Sequence, residues 1–393
     1  MLRRVSSALG VVIAAIGLTA GCGSKPVVGV ILPSTGPAAS YGESIESGIR
    51  LALSDARARE AVPAGFEVVW ADSGSEPARA VAELRRMVAD NGVKMVIGGA
   101  TSGEALAMIP VLDELGVVCL SPSASAPGLA QRSRNFFRIY PSDELEGHTA
   151  GTFLFERLGQ PRIVLFSGDA DYASGIEPEF LKQFEEALGG EVAADIDLSS
   201  AGWQQRADAA LAGGGLGAAY VIGYAPEILQ VVRYLRERAF TGRIVTTSTF
   251  YSGDAIREAG AAAEGVMFPL PPFDRTSEKE PVLSFVNRYM ESYQRAPDVF
   301  AAHGYDAMGY TLQVFTIARP PETLEILKAI SYGGEFNGVT GPILFDESGD
   351  VKHYPKMFLV SGGQVLSYQR YLETERKRIL NQVQDLLAAP QAR

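Results

Sequence analysis

Serine, threonine and glycine cluster in three segments that follow short apolar runs typical of β-strands. The runs end at Leu32, Ile97 and Leu120, and a loop with hydroxyl-bearing side chains follows each of them. Ligands of open parallel sheets bind beyond the carboxyl ends of the strands, so these loops are expected to lie at one edge. The chemistry that such loops supply is hydrogen bonding to a polar ligand.

One of these loops has the properties of an anion site. The residues Ala100-Thr101-Ser102-Gly103 precede a helix that is predicted to begin at Glu104. The free backbone N–H groups and the dipole at a helix N-terminus favour a negatively charged group. A ligand carboxylate therefore fits the loop at residues 100–103.

The sequence lacks the motifs of the common enzyme classes on α/β folds. Residues 98–103 do not form a dinucleotide fingerprint, and neither a P-loop nor a G-x-S-x-G elbow occurs. The three histidines, His148, His303 and His353, are dispersed and have no metal-ligand spacing. We therefore predict a protein that catalyses no reaction and uses neither a cofactor nor a metal ion.

The elements that must position these loops come in two sets. With 393 residues, the chain exceeds what one hydrophobic core usually organises, so two domains are expected. Short apolar runs alternate with segments of helical periodicity, first from Val27 onward and again from Ile163 onward. This alternation predicts an α/β protein with two doubly wound lobes, each a parallel sheet covered by helices on both faces.

Three segments are predicted to cross between the lobes. They are Tyr140–Asp143, the Pro-rich run Pro269–Pro272, which cannot belong to a central strand, and Gly349–Lys352. The N-terminal lobe is then residues 27–141 with 272–350, and the C-terminal lobe is residues 142–271 with 351–370. Residues 371–393 are predicted to form an amphipathic helix that packs on the body by one face; exposed apolar positions would instead favour contact with another molecule.

The N-terminus has the order of an export signal. Two arginines follow Leu2, an apolar stretch runs to Leu18, and small residues precede Cys22. The stretch is shorter than the roughly 20 residues that a membrane-spanning helix needs. Residues 1–21 are therefore predicted to be a signal peptide, and the segment resembles a bacterial lipoprotein signal in which Cys22 becomes the lipidated first residue. The mature protein is then expected in the cell envelope, anchored to a membrane and facing the periplasm or the exterior.

The net charge and the number of cysteines further limit the kinds of partner and cross-link that the protein can have. The formal net charge is −11, and no basic run interrupts the acidity between the two ends of the chain, which argues against a nucleic-acid partner. Once Cys22 is lipidated, Cys119 has no partner for a disulfide. It lies in an apolar run and is expected to be a buried small side chain.

Seven groups of residues, in the same order along the chain, resemble the branched-chain amino-acid-binding proteins of ABC transporters. This is the Leu/Ile/Val-binding family with the type I periplasmic-binding fold. The resemblance covers nearly all of the mature chain and rests on residues 36–42 with 48–52, 72–77, 97–103, 121–127, 138–143, 305–307 and 336–342. It implies two lobes joined by three crossings, a ligand cleft between them, closure on the ligand, and presentation of the closed form to a membrane permease.

The resemblance also implies which residues bind the ligand carboxylate. Ser102 would donate its hydroxyl, while Ser123 and Ser125 would contribute backbone groups and the Ser125 hydroxyl. Uncharged donors suffice, because a hydrogen bond to a charged group contributes roughly 1.5–3 kcal/mol. An ordinary helix N-cap is the alternative explanation for Ser102.

Aromatic and acidic residues complete the cleft that the resemblance implies. Tyr41 is expected on one lobe, and Tyr172 and Tyr224 on the closing lobe. Thr249 or its neighbour Phe250 stands where relatives often carry an acid for the ligand's ammonium group. Asp143 remains as a possible acidic partner, directly or through water, although it could also be a helix N-cap.

The function predicted from these residues is that of a substrate-binding lipoprotein of an ABC importer. Its ligand is a small polar metabolite, a branched-chain or related amino acid, and a single chain is expected to suffice as a monomer. Because no acid stands at Thr249, an amide or another small carboxylate stays possible as the ligand. A ligand-sensing or scaffold role in the cell envelope is the alternative function.

Overall fold

The computed structural model describes residues 25–168, 170–251 and 253–388. The predicted signal peptide and Cys22 lie outside this part of the chain. Two β-sheets and a short two-stranded ribbon account for the strands that it contains. Among the described helices, none combines the length and the apolar character that crossing a bilayer requires.

Strands and helices alternate through most of the described residues. The strands are β1 (Val27–Leu32), β2 (Glu67–Asp72), β3 (Met95–Ile97), β4 (Val118–Ser121), β5 (Phe136–Arg138), β6 (Arg162–Ser167), β7 (Glu191–Asp197), β8 (Ala218–Ile222), β9 (Arg243–Thr246), β10 (Met267–Leu270), β11 (Phe336–Gly338), β12 (Gly341–Ile343), β13 (Lys356–Ser361) and β14 (Gln364–Ser367). The helices are α1 (Ala39–Ala58), α2 (Pro77–Asn91), α3 (Ser102–Leu115), α4 (Asp143–Thr152), α5 (Ala170–Leu181), α6 (Trp203–Ala212), α7 (Ala225–Glu237), α8 (Gly253–Ala259), α9 (Val282–Tyr293), α10 (Val299–Ile317), α11 (Thr323–Tyr332) and α12 (Tyr368–Ala388).

The first sheet consists of five parallel strands in the order β2-β1-β3-β4-β5. Strand β1, which has a neighbouring strand on each side, is an apolar run that is buried on both faces, as expected where helices cover a parallel sheet on each side. Successive side chains of β1 point to opposite faces, so Val30 packs in one core cluster and Ile31 in the other. Helices α1 and α10 cover the Val30 face, and α2 and α3 cover the Ile31 face.

The second sheet has seven strands in the order β14-β13-β10-β9-β8-β6-β7. Strands β6 to β10 are parallel, whereas β13 is antiparallel to β10 and forms a hairpin with β14. The predicted fold class, two doubly wound α/β lobes, is therefore confirmed, and the second sheet carries an antiparallel edge in addition.

The chain passes between the two sheets three times, as predicted. It leaves the first sheet after β5, returns after β10 to form the helices α9 to α11, and leaves again before β13. The expectation that the Pro-rich run stays out of a central strand is wrong, because Pro269 lies inside β10 and opposite Met357 of β13. Strand β10 pairs with β9 only at Met267, so the missing N–H of Pro269 removes no ladder bond on that side.

Helix α12 begins on the second lobe but does not stay in contact with it. The Tyr368 ring packs edge-on against Phe153 at a centroid distance of 4.8 Å, and Arg370 Nη1 donates to the carbonyl of Thr276 (2.7 Å). Beyond Tyr371 the side chains are exposed almost without interruption to residue 384. The predicted packing of this helix on the body by one face is therefore wrong after its first turn.

Candidate ligand-binding cleft

The loop after β3 begins α3 two residues earlier than predicted. Thr101 is the N-cap: its Oγ1 accepts a hydrogen bond from the N–H of Glu104, and the Glu104 carboxylate accepts one from the N–H of Thr101 (3.2 Å each). This capping box leaves Ser102 at the first helical position. The alternative N-cap role for Ser102 is therefore wrong, and its hydroxyl oxygen accepts from the N–H of Ala126 (3.2 Å) instead.

The loop after β4 lies between the N-termini of α3 and α4. The Ser123 hydroxyl donates to the carbonyl of Ala100 (2.6 Å), which ties the loop to the start of α3. The carbonyl of Ser125 accepts from the N–H of Asp143 (2.9 Å), and the Ser125 hydroxyl lies near enough to the Asp143 carboxylate to lower its pKa. The structure thus brings Ser102, Ser123, Ser125 and Asp143 together at the carboxyl edge of the first sheet.

Asp143 is not the N-cap of α4, so the N-cap role considered for it in the sequence analysis is wrong. Ser142 occupies that position, and its hydroxyl oxygen accepts from the N–H of Glu144 (3.4 Å). The Asp143 carboxyl is therefore free of the capping task and lies beside Ser125. Burial raises its pKa to about 7, against the lowering effects of the Ser125 hydrogen bond and the charge of Arg138.

Arg138 holds the serine-bearing loop in place, a role that the sequence analysis missed. Its side chain is completely buried at the end of β5 and donates to the carbonyl of Ala126 (2.7 Å). Its Nε and Nη2 atoms both donate to Asp350 on the third crossing, the latter at 3.2 Å. A charged residue at the end of an apolar strand was the available signal, since such a residue is rarely buried without a partner.

Glu146 is a second acid near this edge that the sequence analysis missed. It is buried one turn after Asp143, and its two oxygens accept from the N–H (2.5 Å) and the hydroxyl (2.9 Å) of Ser248. Burial, together with the negative charge of Asp143, raises the pKa of Glu146 to about 8. The signal was the i, i+3 spacing of the two acids, which places them on one face of α4. Within the described residues, neither carboxyl forms an ion pair.

The predicted residues of the second lobe lie at the carboxyl ends of its strands. Tyr224 precedes α7 and is 48% exposed, and Thr249 lies in the loop after β9. The Thr249 hydroxyl donates to the carbonyl of Gly223 (2.5 Å), so it is engaged within its own lobe. Tyr172 lies in the first turn of α5, after β6, and its side chain is outside the described part of the structure.

Aromatic side chains line the hinge side of the first lobe. Tyr41, which is 47% exposed, contacts Phe300 edge-on at a centroid distance of 4.7 Å. Tyr140 on the first crossing stacks on the same Phe300 and lies 4.9 Å from the ring of His303. The cluster places the half-exposed ring of Tyr41 next to the buried hinge.

Two of the histidines, expected to be dispersed, come close to each other at the hinge. Burial lowers the pKa of His303 to about 3 and that of His353 to about 4. Both rings are therefore neutral near neutral pH. Nevertheless, the described residues contain no group of three or more side chains that could hold a metal ion. The pair belongs to the packing of the crossings.

The buried acids predict a pH dependence of stability. The folded-state pKa of Glu146, about 8, lies above its ordinary value of 4.5, so the unfolded chain releases this proton first as the pH rises. The free energy of unfolding is therefore expected to fall between pH 4.5 and 8, and Glu146→Gln should flatten this decline. Urea unfolding at pH 5 and pH 8 measures the effect, with the exposed Glu114→Gln as the control. Equal declines in the wild type and Glu146→Gln would contradict the assignment.

Comparison with known proteins agrees with this architecture. The sequence pattern of the periplasmic binding protein family matches residues 26–363. The chain is 28% identical over 329 residues to the leucine-, isoleucine-, valine-, threonine-, and alanine-binding protein of Pseudomonas aeruginosa, covering 82% of this chain and 86% of that one.

Two solved structures are similar over most of their length. The leucine binding protein LivK of Thermotoga maritima has a TM-score of 0.71 and 28% identity, covering 87% of this chain and 97% of that chain. The substrate binding protein LivJ of Streptococcus pneumoniae, in complex with isoleucine, has a TM-score of 0.69 and 28% identity, covering 87% and 98%. With its two sheets, three crossings and matched sequence pattern, the chain belongs to the periplasmic binding protein family.

Proposed function

We propose that this chain is the substrate-binding component of an ABC importer and binds a small amino acid of the branched-chain type by closing its two lobes. The observation that carries the proposal is the juxtaposition of a helix N-terminus suited to a carboxylate with Asp143, a partly buried acid suited to an ammonium group. Both belong to one hydrogen-bonded unit, because Ser102 and Asp143 contact the same loop of residues 122–127. An amino-acid zwitterion matches this pair of charges.

The carboxylate end of the ligand is assigned to α3. The capping box uses the N–H groups of Thr101 and Glu104, which leaves the N–H groups of Ser102 and Gly103 without an intrahelical partner. The Ser102 hydroxyl oxygen accepts from Ala126, so its proton remains available for donation. Ser123 and Ser125 complete the polar wall.

The ammonium end is assigned to Asp143, with Glu146 behind it. The hydroxyl of Thr249, at the position where an acid was expected, already donates to a carbonyl. Asp143 and Glu146 have no ion-pair partner among the described residues, and a bound ammonium group would favour the ionised form of the nearer one. We therefore expect binding to lower the pKa of Asp143.

The side chain of the ligand is assigned to the aromatic residues of both lobes. Tyr41 and Tyr224 are each about half exposed, and both lie at carboxyl ends of strands. Tyrosine combines apolar area with a hydroxyl, and Tyr172 follows the neighbouring strand of the closing lobe. The relatives named for leucine, isoleucine and valine support an aliphatic side chain.

Calorimetric titration with leucine and with its hydroxy-acid and amide analogues tests the proposal. Asp143→Asn is expected to weaken leucine binding by about 10- to 150-fold, because it removes a charged hydrogen bond, and to leave the hydroxy acid nearly unaffected. Ser102→Ala should weaken both carboxylate ligands about ten-fold. Glu144→Gln, the neighbouring acid, is the matched control.

The outcomes separate the alternatives. If the hydroxy acid or the amide binds wild-type protein better than leucine does, the ligand belongs to one of the other classes considered for this cleft. If no compound of the panel binds, the assignment of an amino-acid-like ligand is wrong.

We further propose that Cys22 anchors the exported protein to a membrane of the cell envelope, where the closed form meets its permease. The order of charged, apolar and small residues before Cys22 supports this. Cys22→Ala is expected to move the protein from the membrane fraction to the soluble envelope fraction. Retention of the variant in the membrane would contradict the lipid anchor.

A scaffold or sensing role is the second candidate, and the exposure of α12 favours it. Apolar side chains on this helix lie outside the body of the second lobe, which suits contact with another macromolecule. Such contact is compatible with transport, since the cleft lies at the carboxyl ends of the strands and α12 at the edge of the second sheet.

A further inference from the structure

Helix α12 has an apolar stripe that the described residues leave uncovered. Leu372 is 48% exposed, Ile379 and Leu380 are 51% exposed, and Val383 is 46% exposed. The family pattern ends at residue 363, so the helix is an addition to the matched body. Among the described residues of the helix, those of its first turn are fastened to the body: Tyr368 packs on Phe153, and Arg370 donates to Thr276.

The spacing along the stripe is that of a coiled coil. Leu372, Arg376, Ile379, Val383 and Leu386 follow one another at intervals of four, three, four and three residues. Alternation of three and four residues is the a/d pattern of a heptad, with Arg376 and Val383 at a positions. A seam of this kind is buried when a second helix packs along it.

The charges around the seam are complementary to a second copy of the same helix. Glu373 and Glu375 flank the stripe on its two edges, and Arg376 lies between them in the seam. In a parallel pair, an a side chain inserts among four residues of the facing helix, which here include Glu375 of the second copy. Both carboxylate oxygens of Glu375 accept from Arg378 of its own chain, at 2.7 and 3.3 Å, and each oxygen has a further lone pair for Arg376 of the other copy.

We infer that α12 pairs in parallel with α12 of a second copy, so that this protein forms a homodimer rather than the monomer expected from the sequence. A membrane surface is the less favoured occupant, because Glu373 and Glu375 flank the apolar stripe on its two edges. A single charged residue at an a position also specifies the register and the number of strands.

Sedimentation equilibrium of the chain from residue 25 onward tests the pairing. The weight-average mass is expected to rise with concentration toward twice that of one chain. Ile379→Asp should weaken association about ten- to a hundred-fold, since it removes a buried apolar side chain. Leu324→Asp is the matched control, because Leu324 is an exposed leucine on α11 and lies outside the stripe.

Charge reversal and cross-linking test the orientation. Glu375→Arg and Arg376→Glu should each weaken association about five-fold, and the double variant should restore it. Val383→Cys should form a disulfide between copies, because identical residues face each other in a parallel pair, whereas Asn381→Cys on the opposite face should not.

Three results would overturn the inference. The first is a monomeric mass at every concentration. The second is Ile379→Asp associating as tightly as the wild type. The third is a monomer that floats with vesicles of phosphatidylglycerol and phosphatidylethanolamine and loses this binding on Ile379→Asp, which would assign the stripe to a membrane.

Discussion

Replacing Arg138 by Met is expected to lower the free energy of unfolding by about 3–5 kcal/mol, because it leaves Asp350 as a buried charge without its partner. Arg138 is fully buried and Asp350 is 8% exposed, so water cannot replace the lost hydrogen bonds. The carbonyl of Ala126 loses its donor as well. Urea unfolding followed by circular dichroism measures the change.

The double variant Arg138→Met/Asp350→Leu separates the charge from the packing. Removing both partners is expected to be less destabilising than removing either one, since no buried charge is left. Arg85→Met breaks an exposed pair with Glu114 and should change stability little. An unfolding midpoint of Arg138→Met equal to that of the wild type would contradict a stabilising role of Arg138.

Gly304→Ala is expected to destabilise the first lobe by about 3 kcal/mol or more, because a β-carbon there meets backbone and not a movable side chain. It would lie 2.2 Å from the carbonyl oxygen of Ile45 on α1. The close approach of α1 and α10 is the same from the other side, since a β-carbon on Gly48 would lie 2.0 Å from the carbonyl oxygen of Ala301 on α10. The two helices can only separate, which opens the core beneath them.

Gly103→Ala provides the matched control within a helix. A β-carbon at Gly103 would have ordinary contact, with its nearest neighbour at 3.6 Å on Pro77. Removing a glycine from a helix then raises stability by about 0.4–1 kcal/mol. Thermal unfolding of the two variants compares them directly, and a Gly304→Ala variant as stable as Gly103→Ala would show that the helices adjust without cost.

Local patterns located most elements of the fold. The strands β1 and β3 end at Leu32 and Ile97, as expected from their apolar runs, since a strand buried on both faces is apolar throughout. The start of α3 was two residues off because the capping box, and not the apolar period, decides where a helix begins. The position of Pro269 inside β10 was missed, because a strand accommodates a proline only where no neighbouring strand needs its N–H group, and the sequence does not show the pairing.

The sequence by itself determined the two lobes, the three crossings and the loops beyond the first lobe's strands, whereas the shared role of Ser102, Ser125 and Asp143 was implied by the family resemblance. The lobes, crossings and loops depend on periodicity and on the fixed edge at which parallel strands end, so they can be read from neighbouring residues.

Only the tertiary structure decided which residues distant in the sequence contact each other and which faces stay exposed. Glu146 bonds Ser248, Arg138 pairs with Asp350, and α12 lies free of the body beyond its first turn, although its amphipathic pattern predicted packing. The physical reason is that burial and pairing depend on which elements the fold brings together, and a helical period cannot distinguish a face that the body covers from one that needs another molecule.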